Sequence, residues 1–89
     1  MKVGTPTNNE LDELSRRISY EWKRLARRLG VTDAVLGEID EDHEELSEKG
    51  YHMLIYWKQT RGSAASYNVL CNALRHPLVQ RRDLAEMFC

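Results

Sequence analysis

The ten residues from 21 to 30, Glu-Trp-Lys-Arg-Leu-Ala-Arg-Arg-Leu-Gly, split into two opposed faces when wound at about 3.6 residues per turn. Trp22, Leu25, Ala26 and Leu29 fall on one side, and Lys23, Arg24, Arg27 and Arg28 on the other. Gly30 stands where a left-handed helix cap is wanted, because a residue without Cβ takes that conformation at no steric penalty. The segment therefore has to lie on a core as a short amphipathic helix, with an aromatic anchor beneath and a basic surface above. Four cations this close repel one another unless something acidic lies nearby.

The acidic partner follows in the sequence. From Arg16 to Arg28 there are six cations, Arg16, Arg17, Lys23, Arg24, Arg27 and Arg28, against the single anion Glu21, a net charge of +5. From Glu38 to Glu48 there are seven anions, Glu38, Asp40, Glu41, Asp42, Glu44, Glu45 and Glu48, and no Lys or Arg. A chain of 89 residues whose overall charge is only −1 is thus dipolar along its length. Taken alone, each run could be an ordinary solvated helix face. Together they suggest complementary docking, with Arg16, Arg17, Lys23, Arg24, Arg27 and Arg28 as a basic partner-binding patch. Glu38, Asp40, Glu41, Asp42, Glu44 and Glu45 form the acidic counterpart.

A chain this short builds one modest core and leaves little room for a deep substrate cleft. Residues 1–8 have no periodicity and read as a flexible leader or the cut edge of a longer protein; residues 9–89 read as one domain. No signal peptide and no membrane span are expected, which makes the cytoplasm the default. The two cysteines, Cys71 in a helical stripe and Cys89 at the end, imply no disulfide framework.

Asn9 is a plausible cap for a first helix carrying Leu11, Leu14 and Ile18, and Ser19 for the second. Thr32 caps a short third helix of about two turns, with Val35, Leu36 and Ile39 on its apolar side. Asp42 and Glu45 have capping-box spacing ahead of a long helix over residues 43–61, whose buried stripe is Leu46, Gly50, Met53, Leu54 and Trp57. Gly50 weakens that helix by about 1 kcal/mol relative to alanine, which points to a close helix crossing. A fifth helix over 64–75 carries Tyr67, Leu70, Cys71 and Leu74 and stops at His76-Pro77. A sixth, over 80–88, buries Leu84 with Met87 or Phe88. No strand alternation occurs, so the expected fold is all-α, an antiparallel bundle of six helices.

The order of these motifs resembles the death domains of the death-fold superfamily. Trp22-Lys-Arg-Leu-Ala-Arg-Arg-Leu-Gly30 is similar to that family's Trp-x-x-Leu-Ala-x-x-Leu-Gly signature, and Leu36-Gly-Glu-Ile39 follows where the family has its third helix. Tyr51-His-Met-Leu-Ile-Tyr-Trp57 matches the fourth helix. Gly62-Ser-Ala-Ala-Ser-Tyr-Asn-Val-Leu70, Ala73-Leu74 and Asp83-Leu-Ala-Glu86 are similar to the closing motifs, with Ser66 where threonine is usual. The resemblance spans residues 10 to 88 and is nearest to the Fas-associated adaptor and receptor-interacting kinase group. It implies Greek-key-like connectivity, no enzymatic activity, and homotypic association with other death domains, self or heterologous, into higher-order oligomers in apoptotic or inflammatory signalling.

Other chemistries fit less well. His43, His52 and His76 show no zinc-ligand spacing with Cys71 or Cys89, and no nucleophile elbow or phosphate loop exists, so neither catalytic, cofactor nor metal residues are expected. Two short helices with basic residues resemble a helix-turn-helix in outline, which makes a nucleic-acid-binding domain the alternative. The acidic run would repel phosphate, and the third helix lacks Asn or Gln for base reading, so no nucleic-acid partner is expected. The core expected from the stripes is Leu14, Ile18, Trp22, Leu25, Ala26, Leu29, Ile39, Leu46, Met53, Leu54, Trp57, Leu70, Leu74 and Leu84. Trp22→Ala should therefore lower stability by about 3 to 5 kcal/mol. Denaturant melts would check this, and a loss below about 1 kcal/mol would put Trp22 outside the core.

Overall fold

Thr7, not Asn9, starts the first helix. In the computed structural model, which describes residues 2–89, Thr7 Oγ1 accepts from the Glu10 N–H at 3.1 Å and Glu10 Oε1 accepts from the Thr7 N–H at 3.0 Å. This reciprocal capping box outcompetes Asn9 because it satisfies two free donors at once. The helix α1 (Asn8–Ile18) leads through a 3₁₀ turn at residues 19–21 into α2 (Trp22–Arg28). There follow α3 (Asp33–Asp42), α4 (Leu46–Arg61), a second 3₁₀ turn at 62–64, α5 (Tyr67–Arg75) and α6 (Arg82–Phe88). The described residues contain six α-helices and no strand, the all-α bundle expected.

Several boundaries differ from the sequence reading. Ser19 does not cap α2; it closes α1 with φ 54° and passes the chain into the 3₁₀ turn. α3 runs for 10 residues, nearly three turns, and takes in Asp40, Glu41 and Asp42. The chain then extends through His43, and α4 begins at Leu46 with no side-chain cap, so the Asp42–Glu45 capping box does not form. α5 and α6 start later than expected, at Tyr67 and Arg82. Ser66 caps α5 by accepting from the Val69 N–H at 3.2 Å. Thr32 caps α3 as expected, accepting from the Val35 N–H.

Gly30 has φ 85° and closes α2 in a Schellman turn: its N–H donates to the Arg27 carbonyl at 3.2 Å and the Val31 N–H to the Ala26 carbonyl at 3.0 Å. Val31 is buried directly beyond it. That turn sends the chain sharply back from α2 into α3.

α4 is the axis of the bundle. α1 packs along it most extensively, and α2 and α3 also lie against it, while α5 and α6 pair with each other and touch α2 and α1 respectively. Leu14, Ile18, Trp22, Leu25, Ala26, Leu29, Met53, Leu54, Trp57, Leu70, Leu74 and Leu84 are buried in one cluster, joined by Leu11, Val31, Leu36, Val79, Ala85 and Phe88. Ile39 and Leu46 are only partly buried and pack at its edge, beside the acidic turn. Phe88 rather than Met87 enters the core; Met87 is exposed.

The described residues ahead of α1 lie on the domain. Pro6 is fully buried, the Gly4 carbonyl accepts from the Tyr67 N–H at 2.9 Å, and Lys2 pairs with Glu10 at 2.9 Å. The Tyr67 hydroxyl also donates to Glu10, so one carboxylate joins the N-terminal segment, α1 and α5. Cys71 and Cys89 are paired as a disulfide with Cα atoms 6.4 Å apart, which the sequence reading did not expect. They lie 18 residues apart in sequence, and only the return of α6 along α5 brings them together.

At Gly50, where α1 packs on α4, a Cβ would lie 3.5 Å from Ser15 Cβ and 3.6 Å from Ile18 Cγ2, so the crossing does not require the glycine. Those are ordinary contact distances, so Gly50→Ala should fit and stabilise the domain by about 1 kcal/mol through helix propensity, while Gly50→Leu should destabilise it. Gly30→Ala should do the reverse. A Cβ there would meet Arg61 Nη2 at 2.7 Å and hold a non-glycine residue at positive φ, for a loss of about 1 to 2 kcal/mol. Thermal or denaturant melts of the three variants check both expectations.

Candidate functional site

Burying Trp22, Leu25 and Ala26 fixes the rotation of α2, and that rotation turns Arg24, Arg27 and Arg28 outward. Arg27 Nε lies 3.2 Å from Asp33 Oδ1, an exposed pair of small energetic weight. Arg24 and Arg28 pair with no carboxylate among the described residues. Beside them the α5–α6 connection is tightly self-bonded. The His76 carbonyl accepts from the N–H groups of Val79 at 2.9 Å and Gln80 at 2.8 Å, the Arg81 N–H donates to the Leu74 carbonyl at 2.9 Å, and the Leu78 N–H donates to His76 Nδ1 at 3.1 Å. Val79 is thereby turned into the core and Leu78 out, 58% exposed.

Between helix and turn lies a shallow open depression of about 360 Å³, edged by the three arginines, Pro77, Leu78 and Gln80. The surface continues along α5 past Val69, Asn72 and His76, beyond the turn to Arg75 and Arg82, and across to Tyr20. Tyr20 is 85% exposed. A face of cations around exposed Tyr20, Val69 and Leu78 has the chemistry of a protein-binding surface, where arginine and aromatic side chains dominate the energetics. It encloses nothing deeply enough for a small substrate. Arg81, by contrast, is spent internally: it bonds Asp83 at 3.1 and 3.2 Å and Glu21 at 3.3 Å, anchoring α6 to the turn after α1.

The remaining basic residues of the sequence reading lie elsewhere. Arg16 pairs with Asp12 at 2.9 Å and Arg17 with Glu13 at 3.1 Å, each along α1, and neither lines the depression. Lys23 Nζ reaches Asp40 Oδ2 at 2.8 Å, while Lys49 Nζ reaches Asp40 Oδ1 at 2.5 Å. The two charge runs therefore meet within one molecule at Asp40. Hydrogen bonds from Lys23 and then Lys49 hold its carboxyl at about 2, well below the usual range. These lysines also offset the unfavourable placement of Asp40, Glu41 and Asp42 at the negative end of the α3 dipole. Glu38, Glu41, Asp42, Glu44 and Glu45 are exposed and have no cationic partner among the described residues.

Sequence reasoning did not single out Leu78 or Val69. The one signal for Leu78 was an apolar residue directly after a proline, outside any helical stripe.

A six-helix bundle whose exposed chemistry is a basic, apolar-centred face and a separate acidic end is a helical protein-interaction module. The death-domain family model matches residues 8–88, and the chain belongs to that family: it is a death domain. It is 38% identical over 71 residues to human Receptor-interacting serine/threonine-protein kinase 1, covering 76% of this chain and 11% of that protein. With mouse Tumor necrosis factor receptor superfamily member 10B it shares 37% over 87 residues, 89% of the chain and 22% of the relative. With bovine FAS-associated death domain protein the figures are 36% over 59 residues, 65% and 28%. The chain thus spans between 11 and 28% of the length of these relatives. None of its described helices is long and apolar enough to cross a membrane.

Three carboxylates are held below their ordinary values: Asp83, by hydrogen bonds from Arg81, and more strongly Glu10 and Asp40. Burial pushes Glu10 up, but the Thr7 N–H, the Tyr67 hydroxyl and Lys2 outweigh it and hold Glu10 at about 2, against its ordinary 4.5. Both Glu10 and Asp40 therefore titrate lower folded than unfolded, so the stability they contribute is complete above the unfolded values and lost as pH falls towards about 2. Stability should decline between about pH 5 and pH 2, and Glu10→Gln or Asp40→Asn should each make that decline shallower. Denaturant melts across that range check it.

Proposed function

We propose that this death domain associates with other death domains by seating an acidic surface of a neighbour on the face formed by α2 and the α5–α6 turn. It does so in the cytoplasm, by binding rather than catalysis. The observation that carries the reading is the juxtaposition of Arg24 and Arg28, unpaired among the described residues, with exposed Leu78 on a self-bonded turn. The acidic counterpart is the end of α3 and the turn beyond it, where Glu38, Glu41, Asp42, Glu44 and Glu45 remain uncommitted. Arg16, Arg17 and Lys23, paired within the molecule, would act at most as the rim.

The two surfaces differ, so the contact is heterologous, and heterologous contacts propagate into rings or helical stacks of higher-order oligomers. Each contact is small, and useful affinity comes from their number.

Arg24→Glu with Arg28→Glu should abolish association while circular dichroism stays unchanged, since both side chains are exposed. Association should weaken with salt, because rim charges are screened beyond about 8 Å at physiological ionic strength. DNA binding would respond to salt in the same way, so the acidic side decides. Neutralising Glu41, Asp42 and Glu45 to Gln, Asn and Gln should reduce association, measured by light scattering and by mixing with purified death domains. Intact assembly together with a gain in affinity for duplex DNA would overturn the proposal.

A further inference from the structure

Three metal-binding side chains meet where α3 gives way to α4, outside the basic face. His43 follows the last turn of α3 in extended conformation, and Glu48 and His52 lie one turn apart on α4. The imidazoles of His43 and His52 stack with centroids 3.9 Å apart and planes 9° from parallel, and His52 Nε2 lies 3.4 Å from Glu48 Oε2. One ligand atom from each of the three residues lies within 4.8 Å of the other two. The core does not require this gathering, since the side chains of His52 and Glu48 are 43% and 53% exposed.

We propose that His43, Glu48 and His52 bind a zinc ion, with water completing its coordination. Two imidazoles and one carboxylate suit zinc, whereas magnesium and calcium take oxygen ligands almost throughout. Bonds of about 2 Å in a tetrahedral site hold ligand atoms about 3.3 Å apart, so the three ligand atoms, now within 4.8 Å of one another, need only a short further approach. Glu48 and His52, at i and i+4 on one helix, supply a rigid two-point frame, and His43 closes it from the connecting segment. The setting favours a cation. Glu44 and Glu45, adjacent to His43 in the chain, have no cationic partners among the described residues, and the nearby ammonium of Lys49 is bonded to Asp40. Bound zinc would clamp the α3–α4 connection onto the first turns of α4 and add two positive charges to the acidic end of the domain.

The site escapes sequence inspection because its third ligand is a glutamate and because His43 reaches the other two across a helix break. The test is calorimetric titration of the 89-residue chain with zinc chloride, the disulfide intact so that no thiol competes, alongside NMR of the histidine ring resonances. One equivalent should bind saturably and shift the His43 and His52 signals but not those of His76, with magnesium unable to compete. His43→Ala and His52→Ala should each weaken binding by about tenfold or more, the scale on which even indirect partners of a metal count. Both positions are at least partly exposed, and circular dichroism will verify that the variants fold. Absence of saturable binding, or unchanged affinity in either folded variant, would overturn the proposal.

Discussion

The packing of α1 along α4, past Gly50, sets the geometry on which the rest of the domain depends. Ser15 and Ile18 of α1 meet the bare backbone there, and α2 and α3 lie against the same long helix. Side chains in a packed interior interlock and resist displacement, so fixing α1 on α4 also fixes where Trp22 enters the core. The entry of Trp22 in turn decides which residues of α2 face water. The basic face is therefore a consequence of the core.

Charge in this molecule is organised by contact rather than by sequence. Two runs that look symmetric on paper behave differently when folded. Lys23 is drawn into a shared pair with Asp40 and Lys49, Arg16 and Arg17 are neutralised along α1, and Arg81 ties α6 to the turn before α2. What remains for a partner is smaller and sharper: Arg24 and Arg28, with Arg27 loosely held by Asp33, and the exposed acids beyond Asp40. An ion pair already made within the chain has to be broken before it serves a partner, which is why the proposed interaction rests on the uncommitted charges.

Most helical stripes could be read directly from spacing, because an apolar residue every three or four positions has one way to hide all its members. Trp22, Leu25 and Leu29 show it, as do Met53, Leu54 and Trp57. Helix ends were harder. The Schellman turn at Gly30 and the cap at Thr32 were legible since each rests on a local residue preference. Asn9, Ser19 and the Asp42–Glu45 box misled: the local Thr7–Glu10 capping box took the start of α1, Ser19 closed α1 instead of opening α2, and α4 began with no side-chain cap.

By itself, the sequence determined the helical class, the inward face of each main helix and the basic character of α2, all of which follow from periodicity and backbone preference within a few turns. The tertiary structure decided which charges remain free, where α3 stops, that Leu78 faces out while Val79 faces in, that Cys71 meets Cys89, and that His43 joins Glu48 and His52. Those outcomes rest on distances between segments far apart in the chain or separated by a helix break. Local preference carries no information about such distances until the core has closed.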